Sequence, residues 1–180
     1  MLNQITPLRT ADQPSEDAVD LLVGCHRRIR HFTATAVKLA RAPAALPAEV
    51  RLTAFNVHRY YSISLPLHED DEDFTLRPRL DAVVGKRVRR ALAAMHDQHL
   101  AIGELLERLL PLLLLVERNP EALQEVGCEM APITKALEDS FGVHLQLEEE
   151  VIFPAIRNFL PENVRAEILE EMKARRQERS

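Results

Sequence analysis

The stretch His144-Leu-Gln-Leu-Glu148-Glu-Glu-Val-Ile-Phe-Pro154 has a counterpart earlier in the chain, His68-Glu-Asp-Asp-Glu72, which ends at Pro78. In both copies a glutamate stands four residues after a histidine, a second acid follows it (Asp73, Glu149), and a proline comes six residues later. Residues four apart on an α-helix share a face, about one turn or roughly 6 Å apart along the axis. Each His-Glu pair can therefore grip one common centre, and the spacing is read as helical.

Working outward, each copy has its own upstream histidine. His26 precedes His68 by 42 positions and His99 precedes His144 by 45, with Ile29 and Ile102 three residues after the upstream histidines. The second half thus repeats the first in near register. His26, His68, His99, His144, Glu72 and Glu148 form the natural ligand list for two metal ions. If the two motif helices face each other, their carboxylates can bridge the ions, while His26 and His99 come from two further helices. Imidazole with carboxylate suits iron or manganese and admits zinc. Helical bundles build such sites from inward side chains on facing helices.

Composition agrees with that architecture. A chain of 180 residues can bury the core of a single domain. Five glycines and long stretches rich in Leu, Ala, Glu and Arg favour helix over sheet. The expectation is an all-α fold: an irregular arm over residues 1–14, then one bundle domain over residues 15–180. Cys25 and Cys128 form no CxxC motif, and the first residues lack a basic region followed by an apolar core. A reducing, cytoplasmic setting is expected. The apolar stretch Leu109 to Val116 is too short to span a bilayer. A formal charge of -5 speaks against nucleic acid or an anionic membrane as partner.

The pattern predicts a first helix capped by Ser15 and running to Ala42, with His26 in its apolar stripe. A second covers residues 48–73, bent near Pro66, with Phe55, His58, Tyr61, Leu65 and His68 inward. Residues 77–85 read as a turn. A third helix, residues 86–119, must accommodate Pro111 and carries Leu92, Met95, His99, Ile102 and Leu106 on one stripe. A fourth begins at Asn119-Pro120 and runs to Phe153, disturbed at Pro132, and a short amphipathic helix follows Pro161.

Other polar residues take supporting roles in this reading. His58, Tyr61 and His96 are candidates to line the site without ligating; a packed core tyrosine hydrogen-bonded to a backbone carbonyl is the plainer reading of Tyr61, and His96 is either a fifth nitrogen ligand or, the plainer reading, a partly exposed helix histidine. His31 is peripheral, and Cys25 is a half-buried small apolar residue. Glu69, Asp70 and Asp71 are expected to face solvent or connector residues. The basic run Lys86 to Arg90 and the tail Lys173 to Arg179 are solvated helix faces by default. No residue is assigned a catalytic role, and turnover is left open.

Cys25-His26-Arg-Arg-Ile29, His68-Glu-Asp-Asp-Glu72, Gln98-His99-Leu-Ala-Ile102 and His144-Leu-Gln-Leu-Glu148-Glu-Glu-Val-Ile-Phe-Pro154 together resemble the hemerythrin-like HHE cation-binding family over roughly residues 15 to 176. The resemblance implies an up-and-down four-helix bundle, here with a short additional C-terminal helix. It also implies a non-haem di-iron centre with an oxo or hydroxo bridge. His26, His68, His99 and His144 would be terminal ligands and Glu72 and Glu148 bridging carboxylates. The expected role is to bind or sense a small diatomic molecule such as oxygen or nitric oxide, or to buffer iron, in oxidative or nitrosative stress. Oxygen-carrying members have a further histidine four residues from another on the third helix. Here the positions four before and after His99 are Met95 and Gly103, and Glu148 follows His144 at four rather than five positions, which resembles the symmetric bacterial and regulatory branches of the family.

Two rival classes can be set beside this. A ferritin-like oxidase would use Glu-x-x-His pairs, and none of the seven histidines has a glutamate three residues before it. The other rival is a metal-free or zinc-bound helical interaction module, for which the terminal helix would contact a partner. Oligomeric state is not legible.

Overall fold

Asp17 opens the first helix, its side chain accepting from the Val19 amide at 3.3 Å. The computed structural model describes residues 17–42 and 44–178. The arm over residues 1–14 and the Ser15 cap lie outside the described residues. All described secondary structure is helical. We number five helical stretches: α1 (Ala18–Ala40), α2 (residues 47–81), α3 (Lys86–Arg118), α4 (residues 120–159) and α5 (Glu162–Glu178). None of the described helices is long and apolar enough to cross a membrane.

Three prolines explain the local course of α2 and α4. Proline lacks an amide donor and collides with the carbonyl four residues back. Pro66, Pro78 and Pro154 each stand at the start of an α-helical piece that directly follows a π-helical segment: Tyr60–Ser64, Asp71–Leu76 and Glu148–Ile152. The widened turn absorbs the missing bond, so the chain continues instead of stopping. Thus α2 does not end at Asp73. It runs on to Asp81, and the turn expected over residues 77–85 is confined to its last few positions. Likewise α4 passes Phe153 and ends at Phe159. Pro111 and Pro132 lie inside helices that continue on both sides.

The same widened turns shift the inner face of α2 to Val50, Ala54, Val57, Tyr61, Leu65, His68, Glu72, Leu76 and Leu80, all buried and mostly four residues apart. Phe55, expected inside, is 42% exposed because it lies off that longer-period stripe.

α1 packs on α2 and on α4, and α3 packs on the same two, so the four long stretches surround one interior. Two apolar clusters fill it. One gathers Ile29, Leu39, Val57, Leu65, Ile102, Leu109, Leu137 and Phe141; the other gathers Leu22, Leu76, Leu80, Leu92, Met95, Ile152 and Ile156. The terminal α5 joins the second cluster through Ile168, Leu169 and Met172. Between the clusters lies a layer of buried polar side chains.

Candidate metal centre

Each long stretch crosses the polar layer once. α1 brings His26, α2 brings His68 and Glu72, α3 brings His99, and α4 brings His144 and Glu148. His26, His68, Glu72, His144 and Glu148 are at most 1% exposed and His99 is 7% exposed. Glu72 and Glu148 both stand in π-helical turns.

Glu148 faces His26 with Oε2 (2.9 Å to Nε2) and His144 with Oε1 (3.1 Å to Nε2). Glu72 faces His68 with Oε1 (3.3 Å) and His99 with Oε2 (3.2 Å). Each carboxylate therefore divides its oxygens between two histidines. The result is two four-residue groups that share both glutamates: His26, His68, Glu72, Glu148 and Glu72, His99, His144, Glu148. Within each group the candidate ligand atoms lie within 4.8 Å of one another. The structure brings together all six residues that the sequence pattern singled out.

The contacts are close but are not aligned as hydrogen bonds. Both oxygens of Glu72 and of Glu148, both ring nitrogens of His68, and the Nε2 atoms of His26 and His99 are buried with no hydrogen-bond partner. Leaving such a group unsatisfied costs about 1–3 kcal/mol each. Seven of these atoms, all but His68 Nδ1, belong to the facing His/Glu groups, and folded chains do not gather so many without a group that they jointly satisfy. A cation shared by nitrogen and oxygen lone pairs is such a group.

Three of the four outward nitrogens are held; Nδ1 of His68 is not. His26 Nδ1 donates to Glu149 at 2.8 Å, His99 Nδ1 to Asp73 at 3.2 Å, and His144 Nδ1 to the side-chain oxygen of Gln98 at 3.1 Å. All three acceptors lack a proton to give, so the Nδ1–H tautomer is fixed and Nε2 presents its lone pair inward. This is the arrangement in which a further carboxylate or amide orients a metal-binding histidine. Arg30 in turn grips both oxygens of Glu149, at 2.9 and 3.0 Å. The acids after the two glutamates were visible in the sequence; Gln98 stands in the motif quoted around His99 but carries no role in that reading.

Burial dominates the electrostatics. It pushes the Glu148 carboxyl up to about 8, aided by the nearby Glu72, and raises Glu72 well above the carboxylate range. It lowers His144 to about 3 and His68 well below its usual value, with the other histidines adding repulsion. Without a cation the cluster resists charge of either sign.

The supporting candidates separate. His96 is partly exposed and donates to Asp73 at 3.3 Å, beside His99 on the same carboxylate. Tyr61 is buried, its hydroxyl 3.0 Å from the Thr33 hydroxyl and its ring stacked over Phe141. Its partner is a side chain, not a backbone carbonyl. His58 is half-buried and joins neither His/Glu group. Met95 packs in the second apolar cluster. Cys25, expected half-buried, is buried.

Asp71 corrects the reading of the acids between the motif residues: it is fully buried and bound by Arg175 and Arg176. That tail is therefore not simply a solvated face. Phe153 lies against His26 with ring centroids 4.9 Å apart. A pocket of about 370 Å³, lined by Val19, Val23, Phe153 and Pro154, opens beside Glu149.

Residues 17–156 match the family model described as the hemerythrin HHE cation binding domain. Among curated proteins, the search found no match.

Proposed function

Because this chain belongs to the hemerythrin HHE cation-binding domain family, we propose that it is a non-haem di-iron protein that binds or senses a small diatomic ligand such as oxygen or nitric oxide, or buffers iron. His26 and His68 would hold one ion and His99 and His144 the other, with Glu72 and Glu148 shared. The carrying observation is the convergence of seven buried, unpartnered nitrogen and oxygen atoms, all but His68 Nδ1 of the eight, on two groups with common carboxylates. A metal-free module would leave all of them unsatisfied, which disfavours that rival.

Order in the chain supports an up-and-down four-helix arrangement. α1 and α3 pass from the cluster containing Leu22 and Leu92 to the one containing Ile29 and Ile102, while α2 and α4 pass from Leu65 and Phe141 back to Leu76 and Ile152.

Iron in this donor set supplies reversible binding of diatomic molecules and electron exchange with them. The chain's own residues do the rest. Glu149, Asp73 and Gln98 keep Nε2 of three histidines deprotonated and aimed inward. Two carboxylates offset part of the charge, and the apolar clusters on either side exclude water. Manganese or zinc suits the same nitrogen and oxygen donors. A cytoplasmic role in oxidative or nitrosative stress fits the reading.

The test is iron content per chain after anaerobic reconstitution with ferrous iron, with visible spectra before and after air. Two irons and a charge-transfer band altered by azide or nitric oxide support the reading. No retained iron sinks it, and zinc is then the next metal to titrate.

A further inference from the structure

Neither oxygen of Glu72 receives a hydrogen bond, so its aim must be fixed by its neighbours in the π-helical turn Asp71–Leu76. Those neighbours are bound from outside by α5. Arg175 and Arg176 both donate to Asp71, the latter at 2.6 Å, and Arg175 also reaches the Thr75 hydroxyl at 2.9 Å. Asp71 and Thr75 stand one residue before and three residues after Glu72. Arg176 further contacts the Cys25 sulfur at 3.7 Å, beside His26. One turn earlier on α5, Glu171 pairs with Arg79, which itself donates to the Thr75 carbonyl at 3.0 Å.

The other copy is built differently. The residues that occupy the same offsets from Glu148 are Leu147 and Val151, and both pack against the second apolar cluster. One glutamate turn is thus held by apolar packing and the other by guanidinium forks. The forks come from a helix that begins at Glu162, beyond the matched residues 17–156.

We infer that α5 is a positioning strap of this chain: Arg175 and Arg176, acting through Asp71 and Thr75, hold Glu72 in the orientation in which it serves both ions. Planar guanidinium groups suit that task, since each spreads its donors over two acceptors, Asp71 and Thr75 for Arg175 and Asp71 and the Met172 carbonyl for Arg176, and so fixes direction as well as charge. The Met172 side chain, fully buried on the same helix, contributes only apolar packing, while its backbone carbonyl, which an alanine would keep, accepts from Arg176 at 2.6 Å. The inference rests on the metal-centre reading, and its test separates the two.

The test titrates full-length apoprotein with Co²⁺ and reads the d–d spectrum and stoichiometry. Three proteins are compared: wild type, Arg175→Gln/Arg176→Gln, and Met172→Ala as a control that loosens α5 without touching Asp71. The double variant should bind Co²⁺ at least about tenfold more weakly, with an altered d–d spectrum. Met172→Ala should keep the wild-type spectrum and affinity despite a lower Tm. Wild-type affinity in the double variant would overturn the strap, and so would an equal loss in Met172→Ala. A wild type that binds no Co²⁺ would overturn the metal-centre reading and the strap with it. If the double variant does not fold, Arg175→Lys, which keeps the charge and removes the fork, is measured against the same outcomes.

Discussion

His26 donates from Nδ1 to Glu149 at 2.8 Å across 123 residues of sequence, and the same contact recurs with the halves exchanged, between His99 and Asp73 at 3.2 Å. The acid after each shared glutamate orients the first histidine of the opposite half. Glu149→Gln removes the charge from that contact and weakens the grip of Arg30. Metal affinity should fall about 10–100-fold with little change in helicity. Competition titration against a chelator of known affinity checks this; unchanged affinity would remove Glu149 from the site.

Loss of a shared carboxylate should reach both ions. Glu72→Ala is expected to retain little metal at either position, whereas His96→Ala should keep the wild-type complement, because His96 touches Asp73 and not the inner groups. Metal analysis after gel filtration distinguishes them. A collapse in His96→Ala would make that residue a ligand.

The empty site should be less stable at alkaline pH. Burial raises Glu148 from 4.5 to about 8, so between those values the folded state binds more protons than the unfolded one, and stability falls as pH rises. His144, lowered from 6.5 to about 3, acts oppositely below pH 6.5, where the unfolded state binds the extra proton. The net loss is therefore concentrated between about pH 6.5 and 8, with a slope of up to about 1.4 kcal/mol per pH unit for one proton. Urea melts of apoprotein across this range check the sign. Metal affinity should rise over the same window as the competing proton leaves.

Glu148→Gln keeps the volume and removes the buried charge. The apoprotein above pH 8 should gain about 1–3 kcal/mol, raising Tm by roughly 2–4 °C per kcal/mol, while the metal-induced gain in Tm is largely lost. An apoprotein no more stable than wild type would mean that the charge is already compensated.

All six inner residues were legible because the helical period and the duplication both constrain them. The π-helical turns were not, since a proline in a helical pattern is compatible with a bend, a stop or a widened turn, and only packing decides. That is why Phe55 was placed inside and Arg77 in a turn. Asp71 was misread for a related reason: its partners, Arg175 and Arg176, lie about a hundred residues away and nothing in their local sequence distinguishes them from a solvated tail.

The exchange of anchors has a consequence for symmetry. Each half of the chain supplies its own pair of histidines, yet takes one carboxylate and one histidine anchor from the other, so neither hairpin is complete alone. Two identical hairpins related by a twofold axis would close the same set of contacts, with no covalent link between them. The guanidinium forks of α5 act on one copy only, and with the Gln98 anchor, which His144 has and His68 lacks, they mark where this chain departs from that twofold relation.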